Sequence, residues 1–274
     1  MAVLPAFKDG LTILRTNPVI LLAGLLFALA SQLATAGELV GSLVVVGVGF
    51  VVALLLGPFF LGGLIGMALE ALEGSTTSLG QLVESGRASY VSLLGASLLF
   101  GALLFTVTVV GMFVAMFGAV FGFAVGGAES GTVAMLAVGL GILLVLAVMA
   151  VAFVLFMFLQ FFNTAIVVDG NRAFESFSRS ISLVRSNLRS VVGYSLLWIG
   201  ISLVAFAPVM GLEFVFIDPE LAAAGEQTAT RAAITGLAVV LTGILYSYLY
   251  AVHTSYYTRL GSRTDAPDAE SVGA

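Results

Sequence analysis

The sequence predicts an all-α integral membrane protein with six transmembrane helices. Hydrophobic residues make up 60% of its 274 positions and charged residues only 9%, whereas a soluble domain carries about 25% charged residues. Apolar runs longer than about 18 residues, enough for a spanning helix, recur along the chain. These runs lack the alternating polarity of a membrane β-strand. The composition therefore excludes a water-soluble fold and favours helices that cross a bilayer.

Six apolar segments divide the chain. The third and fourth are about 35 residues long, more than the roughly 20 that cross a bilayer, so they must tilt, project from the membrane or break. Pro58 lies inside the second segment and predicts a kink there. The segments lie near 18–36, 39–69, 91–125, 132–167, 189–212 and 232–257.

The charges between these segments predict the orientation. Nine of the ten basic residues lie at the N-terminus, in the 70–90 and 168–189 loops, or at the C-terminus. The alternate loops are acidic, with Arg231 as their only basic residue. Because cytoplasmic loops carry the excess of Lys and Arg, both termini are expected in the cytoplasm of a multi-pass cell-membrane protein. We expect one transmembrane domain over 1–260 and a disordered cytoplasmic tail over 261–274.

A short motif occurs twice at the entry to a span, and each copy precedes an apolar segment directly. A fainter copy runs from Ser78 to Tyr90 and opens with a capping-box pattern at Ser78 and Gln81. We therefore predict three units, about 1–73, 74–168 and 169–260, each a cytoplasmic amphipathic helix followed by a two-span hairpin. The two clear copies are Phe7-x-x-x-Leu11-Thr12-Ile13-Leu14-Arg15-Thr16-Asn17 and Phe177-x-x-x-Ile181-Ser182-Leu183-Val184-Arg185-Ser186-Asn187.

The amphipathic helix of the third unit is the best defined. An apolar face is expected to lie along the membrane interface, with a charged face opposite. The apolar face holds Phe174, Phe177, Ile181, Val184 and Leu188, and the charged face holds Arg172, Glu175 and Arg179.

The N-terminus has a competing interpretation. Lys8 and Arg15, an apolar stretch and the small residues Ala34-Thr35-Ala36 are also typical of a cleavable signal peptide. Because this segment belongs to one copy of the repeated motif, we expect it to be retained as the first span.

The repeated Phe-x-x-x-aliphatic…Arg-(Ser/Thr)-Asn entry to a span resembles an uncharacterised family of haloarchaeal six-span membrane proteins. More distantly, it is similar to the membrane-anchor domain that precedes some glycerophosphodiester phosphodiesterases. The resemblance covers most of the chain in layout and implies a multi-pass membrane domain. This sequence holds no counterpart of the soluble phosphodiesterase barrel, so the resemblance implies no catalytic residues.

Polar residues gather near the cytoplasmic ends of three predicted spans. Thr235, Thr242, Tyr246, Tyr250, His253 and Tyr257 form a stripe on the last span, and Gln160, Asn163 and Thr164 are expected on one face of the fourth. Polar groups within a membrane usually face the bundle interior or a wet cavity. The alternatives are an interfacial aromatic belt with a snorkelling histidine, and simple hydrogen bonding between helices. The predicted polar pocket consists of Glu70, Gln160, Asn163, Tyr246, Tyr250 and His253.

Glycines and arginines suggest further contacts. The GxxxG spacings of Gly62 with Gly66, and of Gly118, Gly122 and Gly126, predict close helix packing. Arg15 and Arg185 occupy equivalent positions of the repeated motif. Each could hold a lipid phosphate through its guanidinium fork, or could snorkel to the interface without a specific partner.

The sequence offers no catalytic chemistry. It has no cysteine and only one histidine, so we expect no metal site, no cofactor and no enzyme activity, and it has no basic tract for nucleic acid. The leading expectation is a non-enzymatic protein that organises or binds membrane lipids, a partner membrane protein or another copy of itself. The alternative is a small-solute transporter or channel with a cytoplasm-facing pocket. The lack of a carboxylate deep within a span counts against proton-driven transport.

Overall fold

The computed structural model describes residues 2–126, 131–223 and 225–264. Within these ranges the chain is helical apart from short connections. The helices are α1 (Val3–Thr16), α2 (Val19–Ser31), α3 (Leu33–Leu39), α4 (Leu43–Leu72), α5 (Leu79–Gly126), α6 (Gly131–Leu159), α7 (Phe162–Asp169), α8 (Ala173–Ser186), α9 (Leu188–Phe216), α10 (Pro219–Ala223) and α11 (Thr228–Thr264).

Five stretches of the described chain are long and apolar enough to cross a membrane. They lie in α4, in α5, in α6 with α7, in α9 and in α11. The pair α1 and α2 adds a sixth if it is counted as one span, although its two helices meet at 101°. The predicted class, an all-helical membrane protein, is confirmed, with five to six helices of spanning length.

The first predicted span, 18–36, is not one helix. The 13 residues of α2 rise only about 20 Å, less than the roughly 30 Å hydrocarbon core. The chain then folds back, and α3 packs on the N-terminal half of α4. A Cβ on Gly49 would lie 2.5 Å from Leu33 O, so only a glycine permits this approach. Gly41, at φ 65°, makes the turn between the two helices.

The separate amphipathic helix predicted before the third span is also absent, because α5 runs unbroken from Leu79. Ser78 begins the helix as predicted, with its Oγ accepting from Gln81 N at 3.3 Å. The Gln81 side chain, however, donates onward to Ser85 rather than back to the cap. In the two clear copies of the motif, the helix ends at an asparagine. The fainter copy has no asparagine at the corresponding position, and its helix continues.

Two further boundaries differ from the prediction. The fourth segment, 132–167, breaks at Gln160 and Phe161, between α6 and α7. The helix α11 extends to Thr264, so the first four residues of the predicted tail are helical. The rest of that tail, 265–274, lies outside the described residues.

The described chain divides into two compact units. One consists of the described parts of Met1–Gly95 and Phe161–Ala274, and the other is Ala96–Gln160. The three consecutive units expected from the repeated motif remain a prediction. The second unit is a hairpin of the distal part of α5 and the helix α6. Within it, a Cβ on Gly111 would overlap the Val148 side chain, so the two helices pack closely there.

Helix α11 lies at the centre of the first unit. Its residues Ala251–Tyr257 are all buried. Helix α1 approaches it at Gly10, where a Cβ would overlap Val252, and α2 crosses it where Gly24 meets Gly243. Glycine therefore allows both helices to reach the backbone of α11.

Predicted glycine contacts appear in α4. A Cβ on Gly62 would lie 2.5 Å from Ser89 Oγ, and one on Gly66 would overlap the Ser85 side chain, so α4 packs tightly on the first turns of α5. In the second unit, Gly118 packs against Leu144. A Cβ added to Gly118 would lie 3.2 Å from the Leu144 side chain. Gly122 and Gly126 belong to the end of α5, where the structure describes the helix but not its packing.

Helices α1 and α8 are each 14 residues long and end alike. Thr16 Oγ1 donates to Ile13 O in α1, and Ser186 Oγ donates to Leu183 O in α8. The following residues, Asn17 and Asn187, have φ near −130° and end the helices. The motif therefore makes the chain leave one helix and enter the next at both places.

The faces of α8 differ from the prediction. Ser176 and Ser180 are buried with Leu183 and Val184, because the small serines permit close docking. Phe174, by contrast, is 75% exposed. Arg179, expected on the charged face, pairs with Asp169 at 3.2 Å.

Candidate functional site

The C-terminal half of α11 carries a buried cluster of polar and aromatic side chains. His253 is 6% exposed. Its Nδ1 lies 2.7 Å from the Tyr194 hydroxyl of α9. The Phe161 ring stacks on the imidazole, with centroids 4.8 Å apart and planes at 20°. The Phe161 ring therefore covers one face of the imidazole, and the Tyr194 hydroxyl lies within hydrogen-bonding distance of its Nδ1.

Tyr256 extends this cluster towards the start of α9. Its ring stacks on that of Tyr194, with centroids 4.3 Å apart and planes at 9°. Its hydroxyl donates to Ser190 Oγ at 2.8 Å. Both tyrosine rings are fully buried. Each thus has the polar partner that a buried hydroxyl requires.

Two aspartates hold α11 at its C-terminal turns. Asp9 Oδ2 of α1 accepts from Ser255 Oγ at 2.5 Å and from Arg259 Nη2 at 2.6 Å. Asp169 Oδ2, at the end of α7, accepts from Tyr257 OH at 2.5 Å and from Arg179 Nε at 3.2 Å. These side chains are partly exposed, so each ion pair contributes at most about 1 kcal/mol. Their main consequence is the fixed position of α1 and α8 against α11.

Three of the predicted pocket residues lie together beside this cluster. The Asn163 side chain lies near the Tyr250 hydroxyl. The Tyr250 ring lies 5.8 Å from that of Tyr246 and 6.1 Å from that of His253. In the described chain, Asn163 Oδ1 is buried without a hydrogen-bond partner. The structure therefore joins Asn163, Tyr246, Tyr250 and His253 into one contiguous group.

The other two predicted pocket residues are Gln160 and Glu70. Gln160 belongs to the second unit, and its Nε2 donates to Met157 O of its own helix at 2.9 Å. The helical structure is interrupted at Gln160 and Phe161, between α6 and α7. Glu70 is half-buried, and its Oε2 has no hydrogen-bond partner among the described residues. Thr235, from the predicted polar stripe, lies near the N-terminal end of α11 and lines a different cavity.

Several residues of the cluster did not emerge from the sequence. Tyr194, Tyr256 and Phe161 lie in or beside apolar stretches, where aromatic residues are common, and no motif around Asp9 or Asp169 marks them as partners of α11. The spacing of Ser255 and Arg259, one turn apart on α11, is the only local signal for the Asp9 contact. Their pairing depends on helices that are distant in sequence.

The cluster is chemically suited to holding helices together. A Tyr–His pair can exchange a proton, but burial under Phe161 separates this pair from bulk water. Among the described residues, no group of three or more His, Asp or Glu side chains could hold a metal ion.

Arg15 and Arg185 lie outside this cluster. Each is exposed in the last turn of its amphipathic helix, α1 or α8. Arg185 lines a surface cavity of about 570 Å³ together with Ser178, Ile181, Ser182 and Ser186. Three serines therefore line the same cavity as the exposed Arg185.

A family described as a domain of unknown function, DUF7847, matches residues 1–260. The chain belongs to the DUF7847 family. The DUF7847 domain thus includes every helix from α1 to α10 and all of the buried cluster on α11. No curated protein and no solved structure matches the chain significantly.

Proposed function

We propose that this DUF7847 protein is a non-enzymatic, multi-pass protein of the cell membrane that binds and organises anionic lipids at its cytoplasmic face. The observation that carries the proposal is the outward surface of α1 and α8. Each helix packs small residues together with larger aliphatic ones on the bundle, and turns an arginine and at least one large apolar side chain outward. This is the arrangement of a helix that lies in the membrane interface.

The exposed residues of the two helices support this role. On α1, Leu4 is 66% and Leu11 45% exposed, and Arg15 follows one turn after Leu11. On α8, the exposed Phe174 precedes Arg185. Apolar side chains at such a surface enter the acyl boundary while basic side chains meet the headgroups. The matching ends of α1 and α8 also support a repeated unit in the first and third parts of the chain.

The cavity at Arg185 suggests a lipid phosphate as the ligand. A phosphate accepts several hydrogen bonds, and an arginine fork binds it in a bidentate manner. The hydroxyls of Ser178 and Ser182 line the same cavity and could donate to the remaining oxygens. Arg15 occupies the same position of the motif, with Thr12 one turn before it in place of Ser182.

The transport alternative has weaker support. Its strongest sequence feature was the polar stripe of α11. In the described chain, Tyr250, His253, Tyr256 and Tyr257 each contact another side chain and are buried or half-buried. Such pairing favours a structural role within the bundle. The exposed apolar surface of the second unit fits lipid, a partner membrane protein or another copy of the chain.

Both termini lie in the cytoplasm in this proposal, because the loops on their side carry most of the basic residues. A reporter fused after Ala274 should read cytoplasmic, and a tag inserted near Gly225 should read external. An external C-terminus would contradict the orientation.

The lipid role predicts a loss of anionic lipid when the two arginines are reversed. Arg15→Glu and Arg185→Glu should each reduce retained phosphatidylglycerol, and together they should remove most of it. A charged hydrogen bond to phosphate is worth about 1.5–3 kcal/mol, or roughly tenfold or more in affinity. The measurement is native mass spectrometry of protein purified from phosphatidylglycerol-containing membranes.

Arg87→Glu provides the matched control. Arg87 is exposed and lies on the same predicted side, but on neither amphipathic helix. Its reversal should leave the lipid count unchanged. If all three single variants retain the same number of lipids, α1 and α8 are not the lipid-binding surface.

A further inference from the structure

A second cavity lies at the opposite end of the first unit. It measures about 650 Å³ and opens between α3, α9 and α11. Three charged side chains line it, one from each helix: Glu38, Glu213 and Arg231. Met210 and Ile234 form part of its apolar wall. The volume is within the range of about 300–1,000 Å³ typical of small-molecule sites.

The three charges face the cavity without neutralising one another. Arg231 is half-buried, yet among the described residues it forms no ion pair with Glu38 or Glu213. A half-buried guanidinium without a carboxylate partner is unusual, because partial desolvation has to be offset by a charge or hydrogen bonds. The hydroxyl-bearing Thr35 and Thr235 also line the space. The cavity thus presents separate positive and negative groups to one occupant.

The helices that carry these charges are held in place. Helix α3, with Glu38, is locked against α4 by the Gly37 and Gly49 contacts, where an added Cβ would meet backbone atoms. Gln227 braces the connection between α9 and α11. Its Oε1 accepts from Asp218 N at 2.9 Å, and its Nε2 donates to Phe216 O at 3.2 Å. The charged groups therefore stand on a scaffold formed without the ligand.

We infer that this cavity binds a zwitterion that also has an apolar portion. Its anionic group, a phosphate or carboxylate, pairs with Arg231, and its ammonium group pairs with Glu38 and Glu213. The apolar portion lies along Met210 and Ile234. Two carboxylates against one guanidinium favour a ligand with a full positive charge and disfavour a purely anionic one. Either a zwitterionic lipid headgroup or a free zwitterionic solute has this chemistry.

The test measures binding of three probes to the purified protein in detergent, by isothermal calorimetry. The probes are dihexanoyl-phosphatidylethanolamine, dihexanoyl-phosphatidylglycerol, which has the same chains but no ammonium group, and free phosphoethanolamine. The wild type should bind the ethanolamine lipid at least tenfold more tightly than the glycerol lipid. Comparable binding of free phosphoethanolamine would support the pairing of charges and overturn the role given to the apolar wall of Met210 and Ile234. Much weaker binding would support both and identify a lipid as the ligand.

The double variant Glu38→Gln with Glu213→Gln should remove this preference, with at least a tenfold loss for the ethanolamine lipid and none for the glycerol lipid. Both glutamates are exposed, so their amides are expected to fold normally. The matched control is Glu220→Gln with Glu226→Gln. Both glutamates are exposed in the connection between α9 and α11, and neither lines the cavity. Arg231→Gln should weaken both lipids.

Equal binding of the two lipids by the wild type, or an unchanged preference in the Glu38/Glu213 double variant, would overturn the inference. The Arg15→Glu and Arg185→Glu variants should keep the preference, because they lie on α1 and α8. The zwitterion site and the anionic-lipid surface can therefore fail independently.

Discussion

The C-terminal half of α11 and the hairpin of the second unit show opposite relations between polarity and burial. The stretch Ala251–Tyr257 is rich in hydroxyl and aromatic side chains, yet all of it is buried. In the hairpin, strongly apolar side chains face outward: Phe105 is 69% and Met135 77% exposed. A soluble protein would show the reverse. Because lipid tails are as apolar as leucine, burying apolar side chains gains little free energy in a membrane. Exposing polar groups to the lipid, by contrast, is costly, so they are buried.

The two regions also differ in what holds their helices together. Around α11, glycines bring backbones close and side-chain hydrogen bonds join helices; Ser247 Oγ, for example, donates to Ile20 O of α2 at 3.0 Å. In the hairpin, the described contacts are mostly between apolar side chains, as where Gly111 admits Val148. We therefore expect substitutions around α11 to change the free energy of unfolding far more than equivalent substitutions on the hairpin.

The largest effect is expected for Gly24→Leu. A Cβ at this position overlaps Ser247 Oγ and Gly243 O, so α2 and α11 must separate and the Ser247 hydrogen bond is lost. Overpacking typically costs about 1–3 kcal/mol and occasionally more, and the upper end is expected where a Cβ would meet backbone. The measurement is thermal unfolding of the purified protein in detergent, and Gly24→Leu should lower the Tm clearly.

Gly101→Leu is the hairpin control for this comparison. Gly101 also lies inside a membrane helix, but a Cβ there meets no atom within 4 Å. Its Tm should match that of the wild type. Equal destabilisation by the two leucines would mean that the packing around α11 is no tighter than that of the hairpin.

A smaller effect is expected for Tyr194→Phe. The change removes the hydroxyl that lies 2.7 Å from His253 Nδ1 and leaves the rings in place. Loss of a partner from a buried polar atom costs about 1–3 kcal/mol. The free energy of unfolding, from denaturant titration in detergent, should fall by that amount.

Tyr246→Phe is its matched control. Tyr246 also stacks on aromatic neighbours, but its hydroxyl forms no hydrogen bond in the described chain. This variant should lie within about 0.5 kcal/mol of the wild type. If the two phenylalanine variants are equally stable, the Tyr194–His253 contact does not stabilise the bundle.

The candidate site was only partly predictable. The polar stripe of α11 was visible, because Tyr250 and His253 interrupt an otherwise apolar run. Its partners were not: Tyr194 lies 59 residues and Asp9 246 residues from the residues they contact. The break at Gln160 and Phe161, between α6 and α7, was also not predicted, because nothing in the apolar sequence around it marks a helix end.

The sequence by itself determined the membrane class, the number of apolar segments to within one, and the two turns at Asn17 and Asn187. These follow from composition and from local backbone preferences, which act over a few residues. Only the tertiary structure decided which polar groups meet on α11, that α3 folds back on α4, and that Glu38, Glu213 and Arg231 share one cavity. Such contacts depend on how closely helices approach, and that distance is set by the shape of both partners together.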